Sequence, residues 1–563
     1  MLNAKLNTDV FPVISEFLTD YSDVLSFSLV CSTLRRVAIR RLLSMRPVSL
    51  KGDLSVRRFH TFLFASAVIR APVPHVRALR IGGFKLPPWK IANEAEDSPS
   101  PLVDIINSCP NLEHIAMCFA NGSTDDESSV VAAIAALKTL SSLEVSGWSG
   151  NTLDLLHDIS SPLRKLAIHS GYIRSPYALD EFLPRLAPSL EDLELMYFRV
   201  HRGSTLVALD DEAPGPDGHP QPFRSLAQYP AVRSFSAIIL IGAPVLDRLQ
   251  HLFPALNGTL SLGDFDTTIN RCSEDAIRAA NRRAQDAAPE RAWKKLDRVV
   301  CDARMLYALA LRCPVRLVMI DKGSAGTLCF VADALRENPV PRLKLTLKYG
   351  RGMLDGVFTP ELAATLTHLT LCLVYSNTDR WGMGGGADDF AQLLWDDLLG
   401  TLLSALQPLH NLTHLRVLIY CRLRKPQARD ADWPRGNATY SEKFVDAVRG
   451  PAFDFTGTAA ALVRALPASK YVFLTTYGSF VERGEAARSW RAYERWDASR
   501  AWRVADDSDE PGMGADGVQV QDGASICAGR LVELHSDVAD TIIWKEELVL
   551  SETDECCLFP KEK

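Results

Sequence analysis

Between residues 74 and 478 one short phrase recurs, with aliphatic residues at its first, fourth and sixth places and polar or small residues between them. It reads Val76, Leu79, Ile81, then Leu112, Ile115, Met117, then Leu140, Leu143, Val145, then Leu163, Leu166, Ile168, then Leu190, Leu193, Leu195. Looser copies lie near Val232, Asn257, Leu296, Pro314 and Val340, and clear ones return at Leu366, Leu369, Leu371 and at Leu412, Leu415, Val417. The fourth and sixth places have the period of two that a strand requires, which sends Leu143, Leu166 and Leu193 into a core. Steps in the twenties leave room for a return segment containing a helix, and Pro110, Pro162, Pro188, Pro230 and Pro314 stand just before the strands, where helix has ended. The pattern therefore predicts an α/β fold with strands stacked in parallel and helices outside.

This is leucine-rich-repeat logic, although the asparagine or cysteine usual near the ninth place is missing from most copies and the spacing widens between Leu190 and Val232. The expectation is an irregular leucine-rich-repeat-like solenoid over 74–478, interrupted by acidic, proline-rich inserts at 93–101 and 210–222 and by an exposed Arg- and Ala-rich helix between Ser273 and Leu296. The third, fifth and seventh places of each phrase should share one concave sheet face. On that basis His114, Glu144, Lys165, His169, Glu194, His368, His414 and Arg416 are the candidate client-binding residues. As a mixture of small, polar and singly charged side chains, this face promises no strong electrostatic field.

The amino end is patterned differently. Val10, Val13, Ile14, Phe17 and Leu18 fall on one face of a helix, with Pro12 tolerated only in its first turn and Asp9 expected as the cap. A second helix holding Val24, Leu25, Phe27, Leu29, Val30 and Cys31 is apolar almost all round, as expected of an enclosed helix. Ser32 is expected to cap a third, with Leu34, Val37, Ala38 and Leu42 on one side and Arg35, Arg36, Arg40 and Arg41 around the rest. A unit this small needs a partner surface to be stable. One reading is a helical cap that closes the repeat array.

Leu6, Asp9, Val10, Ile14, Leu18, Asp23, Leu29, Val30, Cys31 and Arg35 match the pattern of the F-box family, which residues 1–50 resemble; Asn7 and Leu34 stand where that family usually has proline and tryptophan. The resemblance implies a three-helix F-box that docks on a Skp-type adaptor, and through it a cullin ubiquitin ligase, by Leu6, Val10, Ile14, Leu18 and Val30. The implied function is a non-catalytic substrate receptor for a client protein; the alternative is a repeat scaffold without a ubiquitin link.

After residue 478 the composition changes. A tryptophan-rich helix through Trp490, Trp496 and Trp502, an acidic loop at 506–523 and an apolar segment around Trp544 are expected to form a capping region over 479–563, since a repeat array needs both ends covered. If the tryptophans were instead exposed, they would be competing client anchors.

The net charge of −6 gives no overall reason to expect nucleic acid, and no apolar run reaches membrane-spanning length. With scattered cysteines and no secretion signal, a cytoplasmic or nuclear protein is expected. No H-E-x-x-H, paired-cysteine or G-x-S-x-G motif is present, and the histidines do not cluster at metal-ligand spacings in sequence, so no catalytic residue, metal or cofactor is expected. Gly382 to Gly386 follow an apolar strand, but Asp388 and Asp389 put negative charge where a phosphate would sit, which favours an ordinary insertion.

Overall fold

The computed structural model describes residues 9–64, 75–82, 100–118, 125–147, 150–169, 183–199, 228–241, 243–265, 273–323, 325–350, 352–377, 392–424, 440–483, 490–505, 530–552 and 554–555. Leu6, residues 93–99 and 210–222 of the acidic inserts, the Gly382–Gly386 loop and the 506–523 loop lie outside them, whereas Ser100 and Pro101, the end of the first insert, open the helix Pro101–Ser108. The chain divides into two compact units, one of residues 1–242 with 248–256 and the other of 243–247 with 257–563.

In the first unit, α1 (Val10–Phe17), α2 (Tyr21–Val30) and α3 (Ser32–Met45) precede parallel strands that follow chain order. These are β1 (Val48–Lys51), β2 (Ala78–Gly82), β3 (His114–Cys118), β4 (Ser142–Ser146), β5 (Lys165–His169), β6 (Asp192–Arg199) and β7 (Ser234–Ile241). The register aligns the repeated phrase with itself: Leu143 stands beside Ile115 and Leu166, and Leu166 beside Leu193. All four are buried, as are Val145, Ile168 and Leu195 two places on. Between them Ser142, Glu144 and Ser146 stay partly exposed, so β4 has one packed face and one open face.

The second unit continues the same grammar through β8 (Thr259–Phe265), β9 (Leu296–Cys301), β10 (Val315–Gly323), β11 (Arg342–Lys348), β12 (His368–Ser376), β13 (His414–Arg424) and β14 (Tyr471–Arg483), all parallel. Thus the looser copies of the phrase also mark strands. Return helices begin where local chemistry allows: Asp302 caps Ala303–Leu309 by accepting from the Met305 amide, and Thr359 caps Pro360–Thr365, with the proline at the helix start where its missing N–H costs nothing. The helix Glu274–Ala287, expected to be exposed, buries one polar edge. There Asn281 donates to the Pro244 and Ala308 carbonyls and Gln285 to that of Ala310, satisfying backbone groups of its neighbours.

The tryptophan-rich segment corrects its sequence reading. Residues Trp490–Ala505 form β15, an antiparallel partner of β14, with β16 (Arg530–Glu533) beyond it. Helical spacing of aromatics and charges yields to edge pairing here, because β14 would otherwise leave a row of backbone groups unpaired. Glu494, with φ 46°, is the extra residue of a bulge between the Ser479–Arg495 and Phe480–Tyr493 pairs. Past it, Trp496 lies against Gly478 and Trp502 opposite Val472, and both indoles are buried rather than offered as anchors. A Cβ on Gly478 would collide with the Trp496 ring, so glycine is required there by close approach.

Truncating Leu166 or Leu193 to alanine should cost about 2–5 kcal/mol in denaturant unfolding, whereas Glu144→Ala should stay within about 0.5 kcal/mol of the parent. Equal losses at both sets would mean that the assigned faces are wrong.

Candidate functional site

The amino-terminal helices are held together on one side only. Arg41 of α3 reaches the Glu16 and Leu18 carbonyls at the end of α1, at 3.2 and 3.3 Å, and Arg46 lies over the Tyr21 ring of α2. The arginines of α3 are therefore partly structural rather than a uniform solvated rim. Val24, Leu34 and Ala38 form the buried seam. α2 is not enclosed as its composition suggested: Leu25, Leu29 and Val30 are exposed, and so are Val10, Val13, Ile14 and Phe17 of α1. Phe17 at 79% and Leu29 at 75% exposure are far from a core environment. Leu18 is half-buried at the end of α1. Asp9 takes the N-cap position of α1 as expected, without a side-chain cap bond, whereas Cys31, not Ser32, occupies the position before α3.

On the sheet of the first unit, the predicted residues meet through strand register. His114 Nδ1 lies 2.8 Å from the Ser142 hydroxyl. His169 stands between Glu144 and Glu194, 3.9 and 3.7 Å away, and Lys165 is 4.0 Å from Asp192. These long, half-exposed pairs add little stability, but they leave a polar strip accessible on β3–β6.

The corresponding face of the second unit is covered, and the cover comes from its own carboxyl end. The helix Ser536–Lys545 packs Ala539, Ile542 and Ile543 against Phe473 of β14 and Ala501 of β15, with Leu548 joining the same cluster. The following residues then run across the sheet. Glu547, held at φ 53°, meets Arg298 at 3.0 Å, Arg342 at 3.4 Å and Arg316 by a direct ion pair. The Arg316 hydrogen bond is the main reason that the Glu547 carboxyl lies below the usual carboxylate range. Glu546 accepts from Arg342 at 3.3 Å, and its main-chain carbonyl accepts a second bond from Arg342 at 2.7 Å. The Leu548 carbonyl accepts from Thr370 at 3.2 Å and from Arg416 at 2.8 Å.

Further along, Asp554 pairs with Lys344 and Thr346, while Ser551 donates to Asp321, which lies 2.6 Å from Lys344. Lys344 and Asp554 are among the most buried charged side chains described. Burial alone would lower the Lys344 pKa, but the Asp321 and Asp554 carboxylates more than offset it and hold the ammonium above its ordinary value. Burial raises Asp554, against the pull of Lys344.

His368, His414 and Arg416 were expected on an open concave face, and the structure places them beneath this carboxyl-terminal segment instead. In this unit the same face also carries a group of cations that the sequence reading did not include. Arg298, Arg316, Arg342, Lys344 and Arg416 line one face and are answered by the carboxylates and carbonyls of the tail. Arg298, Arg316 and Arg342 sit in the looser copies of the phrase, whose faces the sequence pattern does not resolve. One signal was available: Leu369–Tyr375 and Val417–Cys421 run without the alternation of a one-sided strand, the mark of strands buried on both faces.

His368 and His414 occupy paired register positions with their rings stacked 4.2 Å apart and 8° from parallel. Burial, then Arg342 for His368 and the facing His368 ring for His414, keeps both imidazoles below their usual pKa, His414 at about 4. Their Nδ1 atoms lie 2.8 Å from the hydroxyls of Thr367 and Thr413. Those hydroxyls lie 3.0 Å from the carbonyls of Pro341 and Thr367, to which they donate. The other ring nitrogen of His368, Nε2, lies 3.2 Å from Glu546 of the tail.

Lys344→Met should leave Asp321 and Asp554 without their cation and destabilise the second unit by about 3–5 kcal/mol in denaturant unfolding. Hydrogen exchange across residues 536–552 should rise with it; unchanged protection would show that the tail does not depend on this ion cluster.

No protein-family pattern matches the chain, and no curated protein matches its sequence. Among solved structures, the crystal structure of a TLR13–ssRNA13 complex is similar at 11% identity and a TM-score of 0.23, over 69% of this chain and 52% of that one. The chain thus matches about half the length of that protein.

Proposed function

We propose that the protein is a non-catalytic interaction protein of the F-box kind, a substrate-recognition subunit that links a client protein to a Skp-type adaptor and a cullin ubiquitin ligase. The observation that carries this reading is the open apolar face of α1 and α2. Val10, Ile14 and Val30, which match the family pattern, are exposed there beside Val13, Phe17 and Leu29. Exposed apolar side chains in this number on so small a helical unit make the kind of surface that a protein partner covers. Leu18 supports the end of α1, and Leu6 completes the proposed adaptor set by its place in the sequence.

The repeat sheets then serve to hold the client, and the polar strip of His114, Glu144, Lys165, His169 and Glu194 is the accessible stretch best suited to it. The mechanism is proximity: client and ubiquitin-loaded enzyme are held on one assembly, so the effective concentration of one near the other rises without any catalytic group in this chain.

Phe17→Asp and Val30→Asp alter exposed side chains, so both variants should keep the circular-dichroism spectrum and melting temperature of the parent. In a pull-down with purified Skp-type adaptor they should lose binding by about tenfold or more, since centrally placed apolar anchors carry most of an interface's affinity. Adaptor captured equally by the parent and the double variant would sink the F-box reading and leave the repeat scaffold without a ubiquitin link.

A further inference from the structure

Where the tail crosses the second unit, His368, His414 and Glu546 each offer one ligand-type atom, and these atoms lie within 4.8 Å of one another. We propose that the three residues bind one divalent metal ion of the zinc class, which fastens the carboxyl-terminal segment to the sheet.

The argument rests on how the three groups are placed. The Thr367 and Thr413 hydroxyls lie 2.8 Å from Nδ1 of His368 and of His414. Each also lies 3.0 Å from a carbonyl, that of Pro341 or of Thr367. A threonine that donates to its carbonyl accepts from Nδ1, and that tautomer is the one that leaves Nε2 free to bind a metal. Nε2 of His368 lies 3.2 Å from a Glu546 carboxylate oxygen, and a cation between the two would hold them there. Arg342 also reaches Glu546, but its two terminal nitrogens are engaged by the Glu546 carbonyl and by the Glu546 and Glu547 carboxylates, and none of its bonds goes to a histidine nitrogen.

Two neutral imidazoles and a carboxylate are a ligand set that suits zinc, with a water completing the tetrahedron. Ligand atoms around a tetrahedral zinc stand roughly 3.3 Å apart, given bonds of about 2.0–2.1 Å. The His368–Glu546 pair is already at that spacing. The nearly parallel rings need a rotation about χ2, a soft torsion in histidine, for their lone pairs to converge. The threonines supply what a histidine ligand ordinarily has behind it, a partner on the other nitrogen that sets tautomer and orientation. The repeat grammar builds this pair, since each threonine is the second residue of its phrase, each histidine the third, and the strand register stacks one phrase on the next.

The test uses the full chain without an affinity tag, stripped with EDTA and then titrated with zinc in a chelator-buffered series. The parent should retain one zinc per chain through gel filtration. His368→Gln, His414→Gln and Glu546→Gln should each lose that retention, and Thr413→Val should weaken the affinity by about 10–100-fold, as loss of a partner behind a ligand does. Cobalt substituted for zinc should show visible ligand-field bands and no thiolate charge-transfer band. Hydrogen exchange of residues 536–552 in the unmutated chain should slow when zinc is added, a readout that does not depend on any variant folding. Equal zinc retention by the parent and the double histidine variant, a cobalt–thiolate band, or zinc binding that leaves exchange of the tail unchanged would each overturn the proposal.

Discussion

The second unit depends on a match of charge across its sheet. Arg298 of β9, Arg316 of β10 and Arg342 and Lys344 of β11 come from three neighbouring strands, and stacking those strands at hydrogen-bonding distance crowds like charges together, although the register sets Arg298 and Arg342 beside Leu317 and Lys344 beside Met319. Such a row is unfavourable unless anions lie over it. Glu546, Glu547 and Asp554 are those anions, supplied from the end of the chain, and Asp297, by two bonds from Arg316, and Asp321 add two from the sheet itself. Breaking one partner of the buried Lys344 cluster leaves a charge with neither water nor counterion, so the cluster sets where the tail lies as much as how tightly it is held.

Apolar packing places the tail and the ion pairs set its register. Phe473, Ala501, Ala539 and Leu548 bring the last helix onto the sheet, but such contacts tolerate sliding. The left-handed turn at Glu547 and the bonds from Thr370 and Arg416 to the Leu548 carbonyl do not. The strands of the two units, built from the same phrase, therefore differ in use. On β3–β6 the third places and Glu144 and Glu194 remain at least partly exposed and only loosely paired, although Ala116 and Ala167 are buried, whereas on β9–β13 Arg298, Arg316, Arg342, Lys344, Thr370 and Arg416 are engaged in holding the chain's own end. The proposed client strip and the proposed metal site thus follow from one repeat in two settings.

At the amino end, burial separates two roles that composition confuses. Val24, Leu34 and Ala38 close the three helices, while Phe17, Leu29 and Val30 contribute nothing to that core. A purely apolar second helix reads from sequence as an enclosed one. Only the packing shows that Leu25, Leu29 and Val30 stay exposed, which gives the adaptor-binding proposal its physical content.

The amino-acid sequence by itself determined the repeat: aliphatic places with the period of a strand, spaced for a return helix, dictate where β2–β6, β12 and β13 lie and which way Leu143, Leu166 and Leu193 point. That information is local, because strand period and cap chemistry act over a few residues. What faces a strand from the other side is not local. Trp490–Ala505 became a strand because β14 offered an unpaired edge, and His368, His414 and Arg416 became tail contacts because residues more than a hundred positions away return over them. Those outcomes were decided by tertiary structure, since hydrogen-bonding edges and buried charges must be satisfied by whatever segment can reach them, and no spacing along the chain records which segment that is.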